Sequence, residues 1–197
     1  MVRIVLLRPG TTSFDEQRRI KGNLDIPLND FGTDQIVRAS HELTDQGLQL
    51  VYSAACRAAE ETGKILASHL RIKHKTLASL LNFDPGLWEG RQIDEVRQRQ
   101  PRVFRTWQDS PESVCPPEGE MLSDVKERVF ATLEMILKKH RNGVVGLVLP
   151  EPLASVAAVF LTNRDLGDLW AAENDCGFWE SIDVREDFVL NSCLGHS

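Results

Sequence analysis

The chain opens with the stretch Met1-Val2-Arg3-Ile4-Val5-Leu6-Leu7-Arg8-Pro9-Gly10, an apolar run that ends in a basic residue and a turn signal. Apolar, branched residues are typical of a strand buried on both faces, and Pro9-Gly10 cannot continue it. The run is too short for the apolar region of a signal peptide, and no small-residue cleavage site follows. We therefore predict a first strand over residues 3–7 with Arg8 at its carboxyl end.

Strands and helices alternate along the rest of the chain, which predicts an α/β fold with a mostly parallel sheet covered on both faces. Helical spacing or caps predict helices over 34–46, 56–70, from a cap at Ser123 to residue 141, from Pro152 onward and over 165–172. Strands are predicted over 48–52, 73–77, 144–149, 178–184 and 188–190, and Pro111 to Pro117 as a surface loop. The length fits one domain over residues 1–197.

Composition excludes several classes of protein. The formal net charge of -6 argues against general nucleic-acid binding, which needs clustered Lys and Arg. The longest apolar stretch, 143–161, is interrupted by Pro150-Glu151-Pro152, which argues against a membrane span. The four cysteines form no close pair, so we expect reduced thiols, a cytoplasmic location and no metal or cofactor. The oligomeric state stays open.

Four segments, each placed after a predicted strand or in a loop, carry a common signature. They comprise Leu6-Leu7-Arg8-Pro9-Gly10-Thr11-Thr12 with Arg19-Ile20-Lys21-Gly22-Asn23-Leu24-Asp25-Ile26-Pro27-Leu28-Asn29-Asp30-Phe31-Gly32, then 51–63, then Leu81-Asn82-Phe83-Asp84-Pro85-Gly86-Leu87-Trp88-Glu89-Gly90, then Pro116-Pro117-Glu118-Gly119-Glu120. They resemble the histidine phosphatase superfamily, whose members read L-x-R-H-G-E-T, R-x-x-G-x-x-D-x-P-L-x-x-x-G, V-Y-S-S-P-L-x-R-A-x-E-T-A, L-x-E-x-x-x-G-x-W-E-G and P-x-G-E in the same order. The resemblance covers nearly the whole chain and implies a phosphoglycerate-mutase-like, three-layer α/β/α sandwich.

The resemblance also implies a chemistry: a histidine attacks phosphorus, arginines hold the phosphoryl oxygens, a second histidine assists, and a carboxyl group acts as general acid. In this chain the matching positions hold other residues. Pro9 stands for the nucleophile, Ala58 for the second arginine, Asn82 for the general acid, Thr11 for the acid after the glycine, and Glu151 (or Pro150) for the second histidine. The sequence thus predicts a degenerate site with no residue assigned a catalytic role.

Four basic residues could remain as an anion-binding site: Arg8, Arg19, Arg57 and Lys21. Guanidinium groups suit phosphate geometry. The equally weighted alternative is that they pair with Asp15, Glu16, Glu151 or solvent. Counting along the helix places Arg57 one residue, or about 100°, away from the family's arginine position.

Other chemistry-bearing side chains are interpreted as structural. His69, His74 and His140 fall at the sheet edge opposite the expected site, His41 is expected to face solvent, and His196 lies in the terminal residues. Cys56 begins a helix, where a thiol can become reactive, although a buried, inert cysteine is commoner. Trp88 is expected in the core, while Trp107, Trp170 and Trp179 could form a partner-binding surface.

The sequence therefore favours a non-catalytic relative, a pseudoenzyme, that binds a protein partner or a phosphate-like anion at the former active-site face. One alternative is a phosphomonoester hydrolase that uses Glu151 or Asp84 as base and Cys56 or water as nucleophile. Another is a fold retained only for oligomerisation. Fold resemblance alone does not choose among these.

Overall fold

The computed structural model describes residues 1–184. Five strands form one sheet: β1 (Val2–Leu7), β2 (Leu48–Ala54), β3 (Lys73–Leu77), β4 (Gly143–Val148) and β5 (Trp179–Val184). The helices are α1 (Ser13–Glu16), α2 (Asp30–Glu42), α3 (Arg57–Leu70), α4 (Ile93–Arg99), α5 (Pro101–Asp109), α6 (Leu122–Lys139), α7 (Leu153–Thr162) and α8 (Leu169–Ala172). The α/β fold class predicted from the sequence is confirmed.

The sheet has the order β3-β2-β4-β1-β5, with β5 antiparallel to β1 and the other pairs parallel. The chain crosses the sheet in one direction from β1 to β3 and then returns to β4. Right-handed connections therefore place α2 and α3 on one face and α6 on the other. The central strands β1 and β4 are almost fully buried, as their apolar runs require.

Helix boundaries differ from the predicted ones where caps decide them. Helix α2 begins at Asp30, four residues before the predicted start, because the Asn29 side chain accepts a hydrogen bond from the Gly32 N–H at 2.7 Å. Ser123 is not a cap, since α6 begins at Leu122 after Met121. Helix α8 is shorter than predicted because Asp168 caps it one residue before Leu169.

Other expectations had mixed outcomes. Gly47 adopts the left-handed conformation, with φ of 72°, that commonly ends a helical segment. Helices α4 and α5 were not predicted, and the loop after them contains a 3-10 turn at Pro111–Ser113. The strand predicted over 188–190 lies outside the described residues. Within residues 1–184, no helix is both long enough and apolar enough to cross a membrane.

The tryptophans form part of the core. Trp88 is buried, as predicted, and Trp107 packs edge-on against it with ring centroids 5.9 Å apart. Trp170 lies 6.1 Å from both of those rings. The prediction of a partner-binding surface is therefore wrong for Trp107, which α5 turns into the core. Trp170 is only partly buried, so for that residue it stays a prediction. Trp179 is half-buried and donates its indole N–H to Glu42 at 2.9 Å.

Candidate functional site

A partly open pocket lies where β1 and β4 end, the edge of the sheet at which α/β folds bind ligands. We call it the strand-end pocket. Its lining consists of Arg8, Pro9, Gly10, Thr12, Lys21, Gly22, Leu24, Ile26, Cys56, Ala58, Asn82, Pro150, Glu151, Ala172, Glu173, Asp175 and Cys176. Residues from three of the four motif segments thus meet at one site with Pro150 and Glu151, while residues 116–120 are not part of the lining.

Two glycines of the motifs allow the first loop to pack closely on α2. A Cβ atom added at Gly10 would lie 2.6 Å from the Gly32 carbonyl oxygen, and one at Gly32 would lie 2.1 Å from the Thr11 carbonyl oxygen. Neither position has room for a side chain. The Gly10 N–H donates to the Thr62 hydroxyl at 3.1 Å, which ties the loop to α3. The backbone after β1 is thereby held in place.

Arg8 and Glu151 form a buried ion pair across the strand-end pocket. Arg8 Nε donates to Glu151 Oε1 at 2.7 Å, and the two side chains are only 10% and 4% exposed. The other carboxylate oxygen of Glu151 accepts from the Ser155 N–H at 3.3 Å, in the first turn of α7. The guanidinium also lies 5.6 Å from the centre of the Phe178 ring. Glu151 therefore neutralises Arg8 inside the strand-end pocket and ties it to the start of α7.

Lys21 is enclosed by carboxylates in the same pocket. Its ammonium group forms an ion pair with Asp15 and lies 3.6 Å from Glu173. Burial opposes the charge of Lys21, but Glu173 and Asp15 outweigh it and raise the pKa of Lys21 well above its usual range. The pKa of Asp15 is lowered, because the nearby ammonium outweighs the effect of burial. Lys21 is thus charged and neutralised internally.

Arg19 and Arg57 do not line the strand-end pocket, so their assignment to an anion-binding set is not supported by their position. Arg19 donates to the Gly90 carbonyl at 2.7 Å and to Gln17. Arg57 is half-exposed and contacts Glu61 at 3.0 Å and Asp25 at 3.7 Å. Arg57 faces outward because it lies one residue before the pocket-facing position of α3, which Ala58 occupies.

The remaining motif positions carry inert groups. Pro9 offers no side-chain donor or acceptor and accepts only through its carbonyl, from the Gly177 N–H at 2.9 Å. Asn82 is buried, donating to the Gly22 carbonyl at 2.8 Å while its own oxygen accepts from the Phe83 N–H. Thr11 contacts Gln35 and does not line the pocket.

Histidines lie elsewhere in the described part of the chain. Each forms a side-chain hydrogen bond: His74 with Ser53 at 2.8 Å, His140 with Tyr52 at 3.0 Å, and His41 with His69 at 3.4 Å. None is among the residues that line the strand-end pocket, and His196 falls outside the described residues. Residues 1–184 contain no group of three or more His, Cys, Asp or Glu side chains arranged to hold a metal ion.

The cysteines that line the pocket are protonated thiols. Burial raises the pKa of Cys56, despite its position before α3, and raises that of Cys176 to about 12. Both are free, as is Cys115. The inert alternative for Cys56 is therefore favoured over the reactive one.

Sequence reasoning missed the segment between α8 and β5, which contributes Glu173, Asp175 and Cys176 to the pocket. A short helix followed by polar residues gives no sign that a carboxylate will be buried. Together with Glu151 these residues give the lining, as far as residues 1–184 form it, three carboxylates against two cations, Arg8 and Lys21. The pocket is thus acidic in balance.

Glu173 is expected to lower the free energy of unfolding as the pH rises. Burial raises its pKa to about 7, Lys21 opposes that rise, and Glu151 and Asp15 add to it. The ordinary pKa of a glutamate is 4.5. Between pH 4.5 and about pH 7 the folded state therefore holds a proton that the unfolded state has released. The resulting loss of folding free energy is complete above about pH 7. Glu173→Gln should therefore be more stable than the natural protein at pH 8, by roughly 1–3 kcal/mol.

Urea unfolding of both proteins at several pH values measures this difference. It should shrink steadily between about pH 7 and pH 5. The exposed Asp175→Asn change serves as a control and should show little pH-dependent difference. A Glu173→Gln variant that is equally or less stable at pH 8 contradicts the assignment.

Comparison with known proteins places this geometry in a family. Residues 4–188 match the model of the histidine phosphatase superfamily, branch 1. The chain is 27% identical over 186 residues to Phosphoserine phosphatase 1 of Hydrogenobacter thermophilus, covering 94% of this chain and 88% of that one. It is 30% identical over 148 residues to Phosphoglycerate mutase-like protein 4 of Arabidopsis thaliana, covering 74% of this chain and 64% of that one.

The fold has a close counterpart among solved structures. YhfR of Bacillus stearothermophilus superposes with a TM-score of 0.81 at 26% sequence identity, covering 94% of this chain and 93% of that one. Some curated relatives are longer: the chain spans 40% of the length of three mycobacterial proteins with which it shares 33% identity. By name, the relative from Hydrogenobacter is a phosphatase and the one from Arabidopsis is mutase-like.

Proposed function

The chain belongs to branch 1 of the histidine phosphatase superfamily, and within that family we propose that it is a non-catalytic binding protein. It binds a ligand, or a side chain of a protein partner, in the strand-end pocket without transferring a phosphoryl group. The observation that carries this proposal is the buried Arg8–Glu151 ion pair.

Phosphoryl transfer to a histidine needs a lone pair on the nucleophile and positive charge around the phosphoryl oxygens. Pro9, which follows Arg8 in the pocket wall, supplies no lone pair on its side chain. The charge of Arg8 is neutralised by Glu151, 2.7 Å from Nε, although the buried Arg8 Nη1 has no hydrogen-bond partner among the described residues. The residues present therefore supply neither a nucleophilic lone pair at this position nor an unpaired positive charge on Arg8.

The charge balance of the pocket supports the same proposal. A phosphate dianion entering it would lie among Glu151, Glu173 and Asp175, and a like charge within a few ångströms costs several kcal/mol where water is excluded. Lys21 cannot compensate, since Asp15 and Glu173 surround it. A phosphate-like anion is thus a poor occupant, and our proposal replaces the anion expected from the sequence with another ligand.

The rival hydrolase mechanism finds less support. Glu151 is engaged by Arg8 and the Ser155 N–H, so it is not free to act as a base. Asp84 accepts from the Gly86 N–H at 2.8 Å and is not among the residues that line the pocket. Cys56 has a raised pKa and is a poor nucleophile near neutral pH. Retention for oligomerisation alone stays a further alternative, tested by the protein's mass in solution.

We expect no turnover of p-nitrophenyl phosphate, phosphoserine or 3-phosphoglycerate above a heat-denatured control. No acid-labile phosphoenzyme should form, because no histidine is among the described residues that line the pocket. Release of inorganic phosphate and radiolabel trapping measure these two outcomes.

The single variant Pro9→His provides a matched control. It should also be inactive, since Ala58, Asn82 and Glu151 remain. Turnover by the natural protein that disappears when a residue of the strand-end pocket is replaced would overturn the proposal. Robust turnover by Pro9→His alone would show that the remaining residues suffice for catalysis.

A further inference from the structure

A partly open groove of about 120 Å³ lies beside α4 and shares no lining residue with the strand-end pocket. We call it the α4 groove. Its lining includes two exposed apolar residues, Leu87 and Pro117, and the charged residues Arg91, Glu95 and Arg99. A cavity of roughly 150 Å³ can hold a small hydrocarbon ring, so the α4 groove has room for one apolar side chain of another molecule.

The apolar part of the α4 groove is exposed, and its backbone is held in place. Leu87 is 51% exposed although its side chain is large and apolar. Its N–H donates to the Pro117 carbonyl oxygen at 2.9 Å. A Cβ atom added at Gly86 would lie 2.2 Å from the same oxygen, so the two segments approach each other closely. An apolar side chain that covers Leu87 therefore meets a surface that is already formed.

The charged part of the α4 groove has an excess of positive charge. Arg91 Nη1 and Arg99 Nη2 both contact Glu95 Oε1, at 3.0 and 3.3 Å. One carboxylate cannot neutralise two guanidinium groups. The Arg99 side chain is 70% exposed, so most of its N–H donors are accessible to a second carboxylate.

The positive balance continues along α4 and α5. Residues 91–105 contain five arginines and two carboxylates, in a chain whose net charge is -6. Arg97, Arg102 and Arg105 are exposed, and none of them forms an ion pair with a carboxylate of residues 1–184. Clustered charge of one sign attracts a partner of the opposite sign and repels one of the same sign. The surface around the α4 groove therefore favours an acidic partner.

We propose that the α4 groove docks an acidic segment of a protein partner, with one apolar side chain against Leu87 and a neighbouring carboxylate bound by Arg91 and Arg99. Guanidinium groups match the geometry of a carboxylate. A peptide offers a carboxylate and an apolar side chain on adjacent residues, whereas an anionic membrane presents its charges as a layer that covers its apolar chains. This inference goes beyond the proposed function, because it concerns a different surface.

Fluorescence anisotropy with a short fluorescein-labelled peptide, made of glutamates with one central leucine, tests the proposal. The peptide should bind with a dissociation constant of roughly 10–100 µM at low salt and several-fold more weakly at physiological ionic strength. Replacing the leucine of the peptide with serine should weaken binding several-fold. The same peptide with glutamine in place of every glutamate should show no measurable binding.

Variants of the protein separate the parts of the α4 groove. Arg99→Glu should weaken binding of the leucine peptide by about tenfold or more. Lys73→Glu is the matched control, because it makes the same change of charge at an exposed residue of β3, and it should alter binding by no more than about twofold. Glu95→Gln should strengthen binding, since it removes the carboxylate that Arg91 and Arg99 share. Leu87→Ser should abolish the preference for leucine over serine in the peptide.

Equal binding of the glutamate and glutamine peptides would overturn the inference, and so would equal losses from Arg99→Glu and Lys73→Glu. No binding at about 1 mM peptide would do the same. Binding to vesicles that contain phosphatidylserine, without binding to the peptide, would assign the surface to a membrane and contradict the proposal. Each of these results leaves the proposed function standing, because the phosphatase assays test the strand-end pocket separately.

Discussion

Replacing Glu151 with leucine is expected to lower the free energy of unfolding by about 3–5 kcal/mol, because Arg8 is then left as a buried charge without its partner. Both side chains are at least nine-tenths buried, so water cannot replace the lost carboxylate. The change also removes an acceptor of the Ser155 N–H at the start of α7. Urea unfolding at neutral pH measures the loss.

Two comparisons make this measurement specific to the buried pair. The exposed pair of Lys138 and Glu134 lies on α6 at 3.5 Å, and Glu134→Gln should change stability by no more than about 0.5 kcal/mol. The double variant Arg8→Met/Glu151→Leu should recover most of the loss, since apolar residues can replace a buried pair at little cost. A loss below about 1 kcal/mol in Glu151→Leu would mean that the pair is not buried as described.

The overall arrangement of strands and helices could be predicted from the sequence because long apolar patterns encode it. Strands β1 and β4 lie side by side in the interior of the sheet. Burial on both faces requires a continuous run of apolar residues in each of them. Helices α4 and α5 escaped prediction because they are short and half-exposed. Each carries only a few apolar residues, and the packing of Trp107 and Val96 against the core fixes their positions.

The site could be predicted only in part. Motif spacing placed Arg8, Ala58, Asn82 and Glu151 around one pocket, because these residues follow strands whose carboxyl ends meet. It could not place Glu173, which depends on how the segment after α8 folds over the pocket. The direction of Arg19 was also beyond prediction, since its contact with the Gly90 carbonyl joins segments 71 residues apart.

Glu151→Gln is expected to increase the affinity for inorganic phosphate by about 1–3 kcal/mol, roughly five- to 150-fold. In the natural protein the Glu151 carboxylate neutralises Arg8 and would repel the phosphate, so the dissociation constant should be weaker than about millimolar. Glutamine keeps the size of the side chain and removes the negative charge. Arg8 can then offer its full charge to an anion.

The same change at Glu173 is the matched control for this prediction. Glu173→Gln also removes one carboxylate from the lining of the strand-end pocket, but it leaves the Arg8–Glu151 pair intact. It should therefore improve phosphate binding less than Glu151→Gln does. An equal gain from both variants would point to the overall charge of the pocket and not to the ion pair.

Calorimetric titration of inorganic phosphate into the natural protein and into Glu151→Gln is the measurement that tests the central claim most directly. Our account predicts binding weaker than about millimolar in the natural protein and a clear gain in the variant. Tight phosphate binding by the natural protein, or no gain in Glu151→Gln, would contradict the claim that Glu151 neutralises Arg8 and keeps phosphate out of the pocket.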